Sequence, residues 1–430
     1  FGVMSSNTAA REYSNDLIFL FLGGFFLALT LERWNIHRRM ALRIMASFGT
    51  KLPRTVLGVM CAVALLSMWI SNTATTLMML PICLALVDQV REQTDDEELS
   101  RRFALCLLLG CAYAANVGGM GTPIGTAPNG IFQQRFAELG MAPSFAQWMA
   151  YGVPLVVVMV GMIWFLLVRV LQPLPRTGDA IAGELIRERL QGLGRMGREE
   201  FGVLSVFGLA VVLWVTREDI GPIPGWTSGL RALGLDWIQS GAGSGVGDSV
   251  VSIGAMLLLC MIRVRRGGEP LADWRLALKV PWGMLLLFGG GFAIAQGFRS
   301  TSGVGLSLSE WVGHGLEGIG SIHPVLLIAA TCFVLSFLTE LTSNTATTAV
   351  TIPILSTIGD LDSARLLCLA ATLSASCAFM FPVATPPNAI VFASGRVPIR
   401  SMMATGFAFN LIGVVVVTIV VWGIARFSLP

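Results

Sequence analysis

Three observations predict an all-α polytopic membrane protein made of two inverted-topology repeats. The 430-residue chain is 54% hydrophobic and only 13% charged, with mean hydropathy +0.73, whereas a soluble domain carries about 25% charge. The hexapeptide SNTATT occurs at 71–76 and again at 343–348, followed each time by four residues and then Pro-Ile. A Thr-x-Pro-Asn string trails each copy, TAPN at 126–129 and TPPN at 385–388.

Composition also excludes several function classes. A net charge of +3 is too small to suggest a nucleic-acid partner. All eight cysteines (Cys61, Cys83, Cys106, Cys111, Cys260, Cys332, Cys368 and Cys377) lie in apolar segments without paired loop spacing, and read as small hydrophobes. His37, His314 and His323 are scattered, and HExxH, CxxC and Walker strings are missing. Hydrolytic metal chemistry and nucleotide hydrolysis are therefore not expected, and no organic cofactor is called for.

A spanning helix needs about 20 apolar residues. The uninterrupted candidates are 16–33, 150–172, 200–216, 249–265, 281–298 and 402–426, while 52–90, 101–139 and 323–393 are apolar but broken by polar residues, Gly and Pro. Gly23-Gly24 and Gly289-Gly290-Gly291 suit close helix packing, and Asn116, a lone polar residue on a span, suits a helix–helix hydrogen bond. The connector 173–199 is polar, and 217–248, rich in Gly, Pro and Ser, reads as a loop. The acidic DDEE at 95–98 reads as a solvated loop. No cleavable signal precedes the first span, and an opening on FGVMSSN suggests that earlier spans belong to the protein.

Basic residues set the orientation. Clusters follow the first span (Arg33, Arg38, Arg39, Arg43, Lys51, Arg54) and the first hairpin (Arg91, Arg101, Arg102). Others fill 173–199 (Arg187, Arg189, Arg195, Arg198) or precede the 281 and 402 spans (Arg263, Arg265, Arg266, Arg275, Lys279; Arg396, Arg400). All can be cytoplasmic only if 52–90 enters and leaves on one side, as a re-entrant hairpin with SNT at its tip. The same count makes 323–358 a hairpin from the opposite face.

Segment order supports the repeat. FLFLGGFFLALTLERW (19–34) resembles LLLFGGGFAIAQGFR (285–299); a hairpin follows in each half; then GTAPNGIF (125–132) matches ATPPNAIVF (384–392), each leading to one more span. Internal symmetry with Gly/Pro-broken helices at matching positions is the sequence pointer to the central site of a secondary transporter. Ser6-Asn7-Thr8 is a third SNT without the following ATT, Pro or hairpin, and reads as external loop chemistry.

Paired SNT tips followed by T-x-P-N breaks resemble the divalent anion/sodium symporter family, in its dicarboxylate transporter branch, over residues 16–426. The resemblance implies a homodimer in the lipid bilayer, working by an elevator-like shift, in the cell membrane (the inner membrane of a bacterium). It implies four parts: 1–50, a scaffold helix; 51–172, the transport part of repeat 1; 173–322, connector and scaffold helices; and 323–430, the transport part of repeat 2. The implied activity is sodium-coupled uptake of C4 dicarboxylates such as succinate, fumarate or malate. Sulfate or citrate uptake and sodium-independent dicarboxylate exchange are the rivals within transport. An anion channel would need a continuous polar path, which two tips and two breaks do not make, and an intramembrane enzyme lacks any base–nucleophile pair or metal set.

The chemistry suits such a substrate. Helix N-termini present unsatisfied N–H groups and a positive dipole end to an anion, and Ser and Asn are good N-caps. Two tips meeting from opposite faces would give one donor cluster per carboxylate: Ser71, Asn72 and Thr73 at one, Ser343, Asn344 and Thr345 at the other, with Thr126 and Thr385 beside the breaks. No Lys or Arg flanks either tip, which favours release over tight bidentate capture. The resemblance further implies one sodium site per repeat, formed by Ser67, Ser71, Asn72 and Gly125 in the first and by Thr339, Thr342, Asn344 and Ala384 in the second. Met68 aligns with Glu340, and an intramembrane Glu marks a functional position by default. A water-filled vestibule at the hairpin base is its other reading.

Overall fold

The computed structural model describes residues 3–175, 181–219, 221–234, 246–263, 268–300, 307–308, 311 and 323–427. Arg265, Arg266, His314, the Gly/Ser run at 240–245 and most of 301–322 lie outside the described residues. Within them, regular structure is helical apart from isolated bridge residues, among them Arg263 paired with Pro270.

The stray SNT sits in α1 (Ser6–Glu12), a two-turn helix capped by Ser5, whose Oγ accepts from Thr8 N. The first span is α2 (Asp16–Arg33), with Asn15 as its cap. A helix that the sequence reading did not separate follows, α3 (Ile36–Phe48). Its basic residues are more than flanking charge: Arg39 is buried and donates to the carbonyls of Leu193 and Gly194 and to Glu200. The first hairpin is α4 (Leu52–Ser67) and α5 (Asn72–Gln93). The broken helix is α6 (Glu97–Gly118) and α7 (Ala127–Glu138), separated by a 3-10 turn at Gly119–Gly121 and an extended stretch. The long α8 (Phe145–Leu166) closes the first half, opened by a Ser144–Gln147 capping box and ending in a π-helical turn at Leu167–Leu171.

The connectors are partly helical, with α9 (Ile181–Gly192) in one and the short α11 (Trp226–Ala232) in the other, so 217–248 is not wholly the loop expected of it. Its Pro residues lie before α11, which accommodates Gly229 in its interior. Between and after them run α10 (Arg198–Val215), α12 (Asp248–Met261), the one-turn α13 (Trp274–Ala277) and α14 (Trp282–Arg299). The second half repeats the order: hairpin α15 (Pro324–Leu338) and α16 (Asn344–Leu355), broken helix α17 (Leu361–Ser374) and α18 (Pro386–Ala393), then α19 (Ile399–Phe427).

Among the described residues, five helices are long and apolar enough to cross a membrane: Ser6–Arg33, Asn72–Gln93, Glu97–Gly121, Phe145–Leu171 and Ile399–Ile424. Val157, Phe201 and Ile419 are each more than 60% exposed, as expected of side chains facing lipid. The arms leading to the two tips are shorter. With 16 and 15 residues, α4 and α15 rise roughly 22–24 Å, less than the roughly 30 Å of a hydrocarbon core.

Packing is crossed between the halves. Tip helix α5 lies against α18, the post-break helix of the other half, and tip helix α16 lies against α7. The pre-break helices cross too, α6 against α18 and α17 against α7. Accordingly α6 is wholly buried over its apolar window, and the breaks lie at the centre of the fold.

Candidate transport site

Each tip is a helix restart. α4 ends at Ser67, and the chain turns through Met68–Ile70 before Ser71, in an extended conformation, caps α5 with its Oγ accepting from Ala74 N at 3.2 Å. Ser343 holds the same place before α16 but makes no side-chain cap bond. The threonines of SNTATT explain part of the motif. Thr76 Oγ1 donates to the Asn72 carbonyl at 2.8 Å, and Thr348 Oγ1 to the Asn344 carbonyl at 2.7 Å, so these two hydroxyls are satisfied within their own helix, whereas the buried Thr75 Oγ1 has no partner among the described residues.

Behind each tip sits an oxygen cluster short of protons. Ser67 Oγ lies 2.5 Å from Asn72 Oδ1 and 2.7 Å from the Ala115 carbonyl. Thr339 Oγ1 lies 2.5 Å from Asn344 Oδ1 and 3.2 Å from the Ala375 carbonyl. A hydroxyl has one proton to donate, so with the two amides presenting their oxygens each trio of oxygens shares a single hydrogen. Ser67 and Thr339 are fully buried.

The first break closes onto its cluster. A Cβ at Gly119 would meet Asn72 Oδ1 and the Gly125 carbonyl oxygen at 3.0 Å each, and one at Gly125 would meet the Gly119 oxygen at 2.4 Å. Only glycines allow that approach. The structure thus brings Ser67, Asn72 and Gly125 together, while the Ser71 hydroxyl is spent on the cap. In the second half Thr339 and Asn344 meet; Thr342 instead pairs with Thr347 at 2.6 Å and donates to the Leu338 carbonyl. Ala384 lies in the break, immediately before the cap of α18.

The T-x-P-N strings shape the breaks. Asn129 Nδ2 donates to the carbonyls of Gly119 (2.9 Å) and Thr122 (2.8 Å), and Asn388 Nδ2 to those of Ala378 (3.2 Å) and Phe381 (3.1 Å). Each amide therefore ties the end of the pre-break helix to the start of the next. Thr126 caps α7 half-buried and without a side-chain cap bond. Thr385, buried, accepts from Asn388 N at 3.4 Å and from Asn116 Nδ2 at 3.0 Å. Thr73 and Thr345 are half-buried in the first turns of α5 and α16.

Two positions carry more than the sequence reading assigned to them. Asn116 makes the interhelical bond expected of it, but its partner is the other half's break. Glu340 is 1% exposed, not in a vestibule. Its carboxylate accepts from the backbone N–H groups of Phe379 (2.6 Å), Met380 (2.9 Å) and Phe381 (3.1 Å) and from Asn410 Nδ2 (2.8 Å). Asn410 could have been flagged as the lone amide in the apolar 402–426 span.

Comparison with known proteins agrees with this architecture. The family described as the sodium:sulfate symporter transmembrane region matches residues 3–429. The chain is 40% identical over 438 residues to the sodium-dependent dicarboxylate transporter SdcS of Staphylococcus saprophyticus, with 98% of this chain and 78% of the relative aligned. It is 38% identical over 434 residues, with the same coverage, to the protein of that name from Staphylococcus aureus USA300. The crystal structure of the Alcanivorax borkumensis YdaH transporter superposes with a TM-score of 0.63 at 12% identity, covering 100% of this chain and 91% of that one. At that identity the likeness is one of fold.

Proposed function

The chain belongs to the sodium:sulfate symporter family, and from that premise we propose that it imports C4 dicarboxylates such as succinate, fumarate or malate by symport with sodium. The protein is a multi-pass membrane transporter and not an enzyme. The twin proton-poor oxygen clusters carry the proposal: Ser67–Asn72 and Thr339–Asn344 are the same construction made twice, each behind a helix N-terminus. Hydroxyls, amide oxygens and broken-helix carbonyls are sodium ligands, and half-helix N-termini suit carboxylates. In this reading sodium binds at Ser67, Ser71, Asn72 and Gly125 and at Thr339, Thr342, Asn344 and Ala384. The dianion lies between Ser71, Asn72, Thr73 and Thr126 on one side and Ser343, Asn344, Thr345 and Thr385 on the other. Two separated donor groups suit an elongated dianion better than compact sulfate, and two relatives bear the name sodium-dependent dicarboxylate transporter.

The halves are read as inverted repeats, with 51–172 and 323–430 moving as the transport part of an elevator against 1–50 and 173–322 in a homodimer. The short arms α4 and α15 and the crossed packing of tips on breaks support that division.

Radiolabelled succinate flux into proteoliposomes tests the function. Uptake should be driven by an inward sodium gradient with no internal substrate. Flux that needs only internal dicarboxylate would make the protein an exchanger.

A further inference from the structure

The second break is braced by a residue of the other half. Asn116, on α6, is 1% exposed. Its Nδ2 reaches Thr385 Oγ1 at 3.0 Å, the Ala378 carbonyl at 3.3 Å and Asn388 Oδ1 at 3.3 Å. The neighbours settle the orientation of this amide. Asn388 is itself pinned through its Nδ2, which donates to the Ala378 and Phe381 carbonyls, so its oxygen is the atom that faces Asn116. A carbonyl oxygen and an amide oxygen only accept. Asn116 therefore turns its N–H groups towards the break.

That bond sets the polarity of Thr385. A threonine hydroxyl has two lone pairs and one proton. Here the lone pairs meet Asn116 Nδ2 at 3.0 Å and Asn388 N at 3.4 Å, so the oxygen can neither accept again nor ligate a cation. Only the proton is left. Thr385 is 4% exposed, and its Oγ1 donates to no acceptor among the described residues. A buried donor without an acceptor is costly. At the other break Thr126 is half-buried without a side-chain cap bond, and no such pair of donors among the described residues sets its hydroxyl.

We infer that Asn116 is a positioning residue for the substrate: by occupying Thr385 Oγ1 it makes that hydroxyl a dedicated donor to the nearer carboxylate of the dianion. The inference rests on the reading above in which Thr385 contacts the substrate. A carboxylate only accepts, so a hydroxyl already turned proton-outward meets it without reorganisation. Asn116 acts through Thr385, not by touching the anion.

The test is a double-mutant cycle read from the succinate dependence of sodium-driven uptake into proteoliposomes, with Asn116→Leu, Thr385→Val and the two together. Asn116→Leu should raise the succinate KM about tenfold, the scale of one hydrogen bond to a charged group, with Vmax per inserted molecule within about twofold of wild type. In the Thr385→Val background its effect should vanish, because no hydroxyl is left to turn. Additive effects, or a lower Vmax at unchanged KM, would make Asn116 a structural brace and overturn the inference. An unchanged KM for Thr385→Val would overturn it too, while leaving sodium-driven uptake intact. If Asn116→Leu does not fold, Asn116→Ser, too short to reach Thr385, takes its place in the cycle. If neither folds, Thr385→Ser decides. Without the methyl that restricts the side chain, its hydroxyl is held by the Asn116 and Asn388 donors, so it should rescue the KM lost in Thr385→Val. A KM as high as that of Thr385→Val would overturn the inference. A wild type with no sodium-driven succinate uptake would overturn the symport reading, and this role of Asn116 with it.

Discussion

Arg396 and Asp88, 308 residues apart in the chain, meet at 2.7 Å. One lies just after α18 and the other near the end of α5, so the pair joins a tip helix of one half to the stretch that leaves the post-break helix of the other. Both side chains are at least one-third exposed, and exposed pairs contribute only about 0.2–1 kcal/mol. Asp88→Ala, Arg396→Ala and the double variant should show a small coupling in a thermal-melt cycle, with transport preserved. Loss of transport in the single variants would make this contact a functional latch.

The asparagines of the two tips should be indispensable. In the proposed site, Asn72→Ala or Asn344→Ala would remove an oxygen from the cation cluster and a donor from the substrate side, about 1.5–3 kcal/mol for a charged hydrogen bond. Uptake should vanish while the protein stays folded in the membrane. Asn7, exposed on α1, should tolerate the same change. Normal uptake by both tip variants would remove this site.

Glu340 should matter for the fold of the second break. Glu340→Ala leaves the N–H groups of Met380 and Phe381 and the Asn410 amide without their acceptor, and Phe379 N–H with only Asn410 Oδ1 at 3.3 Å, and each buried orphan costs about 1–3 kcal/mol. The melting temperature in detergent should fall sharply, with Glu340→Gln intermediate because one acceptor oxygen survives. A wild-type melt for Glu340→Ala would show that the break holds without it.

Sodium should organise the tips before the anion arrives. A ligand that binds only the folded state adds about 2.7 kcal/mol at a hundredfold excess over Kd, and linkage makes the coupling reciprocal. Succinate should therefore raise the melting temperature strongly in sodium and weakly in choline, and Ser67→Ala or Thr339→Ala should each blunt the sodium dependence. Equal stabilisation in both salts would remove the cation sites.

Orientation can be checked from outside. Single cysteines replacing Leu190 in α9 and Ile223, 66% exposed just before α11, should label from opposite faces, with the first protected from an impermeant reagent in intact cells. Labelling of both from outside would break the hairpin count and the inverted repeat with it.

Local chemistry made much of this legible beforehand. SNTATT with its Pro-Ile located both tips because capping and Thr-to-carbonyl bonds act within four residues. T-x-P-N located both breaks for the same reason. Partners across the fold were not legible: nothing near Asn116 points to Asn388, and nothing near Glu340 points to the backbone of Phe379–Phe381. The amphipathic α3 was hidden because its buried Arg39 finds its partners more than 150 residues away.

The crossed packing sets a schedule for biogenesis. The first tip is made early, but α18, which covers its helix, leaves the ribosome some three hundred residues later. At about 5–20 residues per second of synthesis, α5 waits roughly 15–60 s in the bilayer without its partner. Through that interval the Thr76 bond to its own helix and the Ser71 cap are what shield the polar tip, so weakening them should lower the yield of inserted protein before it alters the transport rate of the molecules that mature.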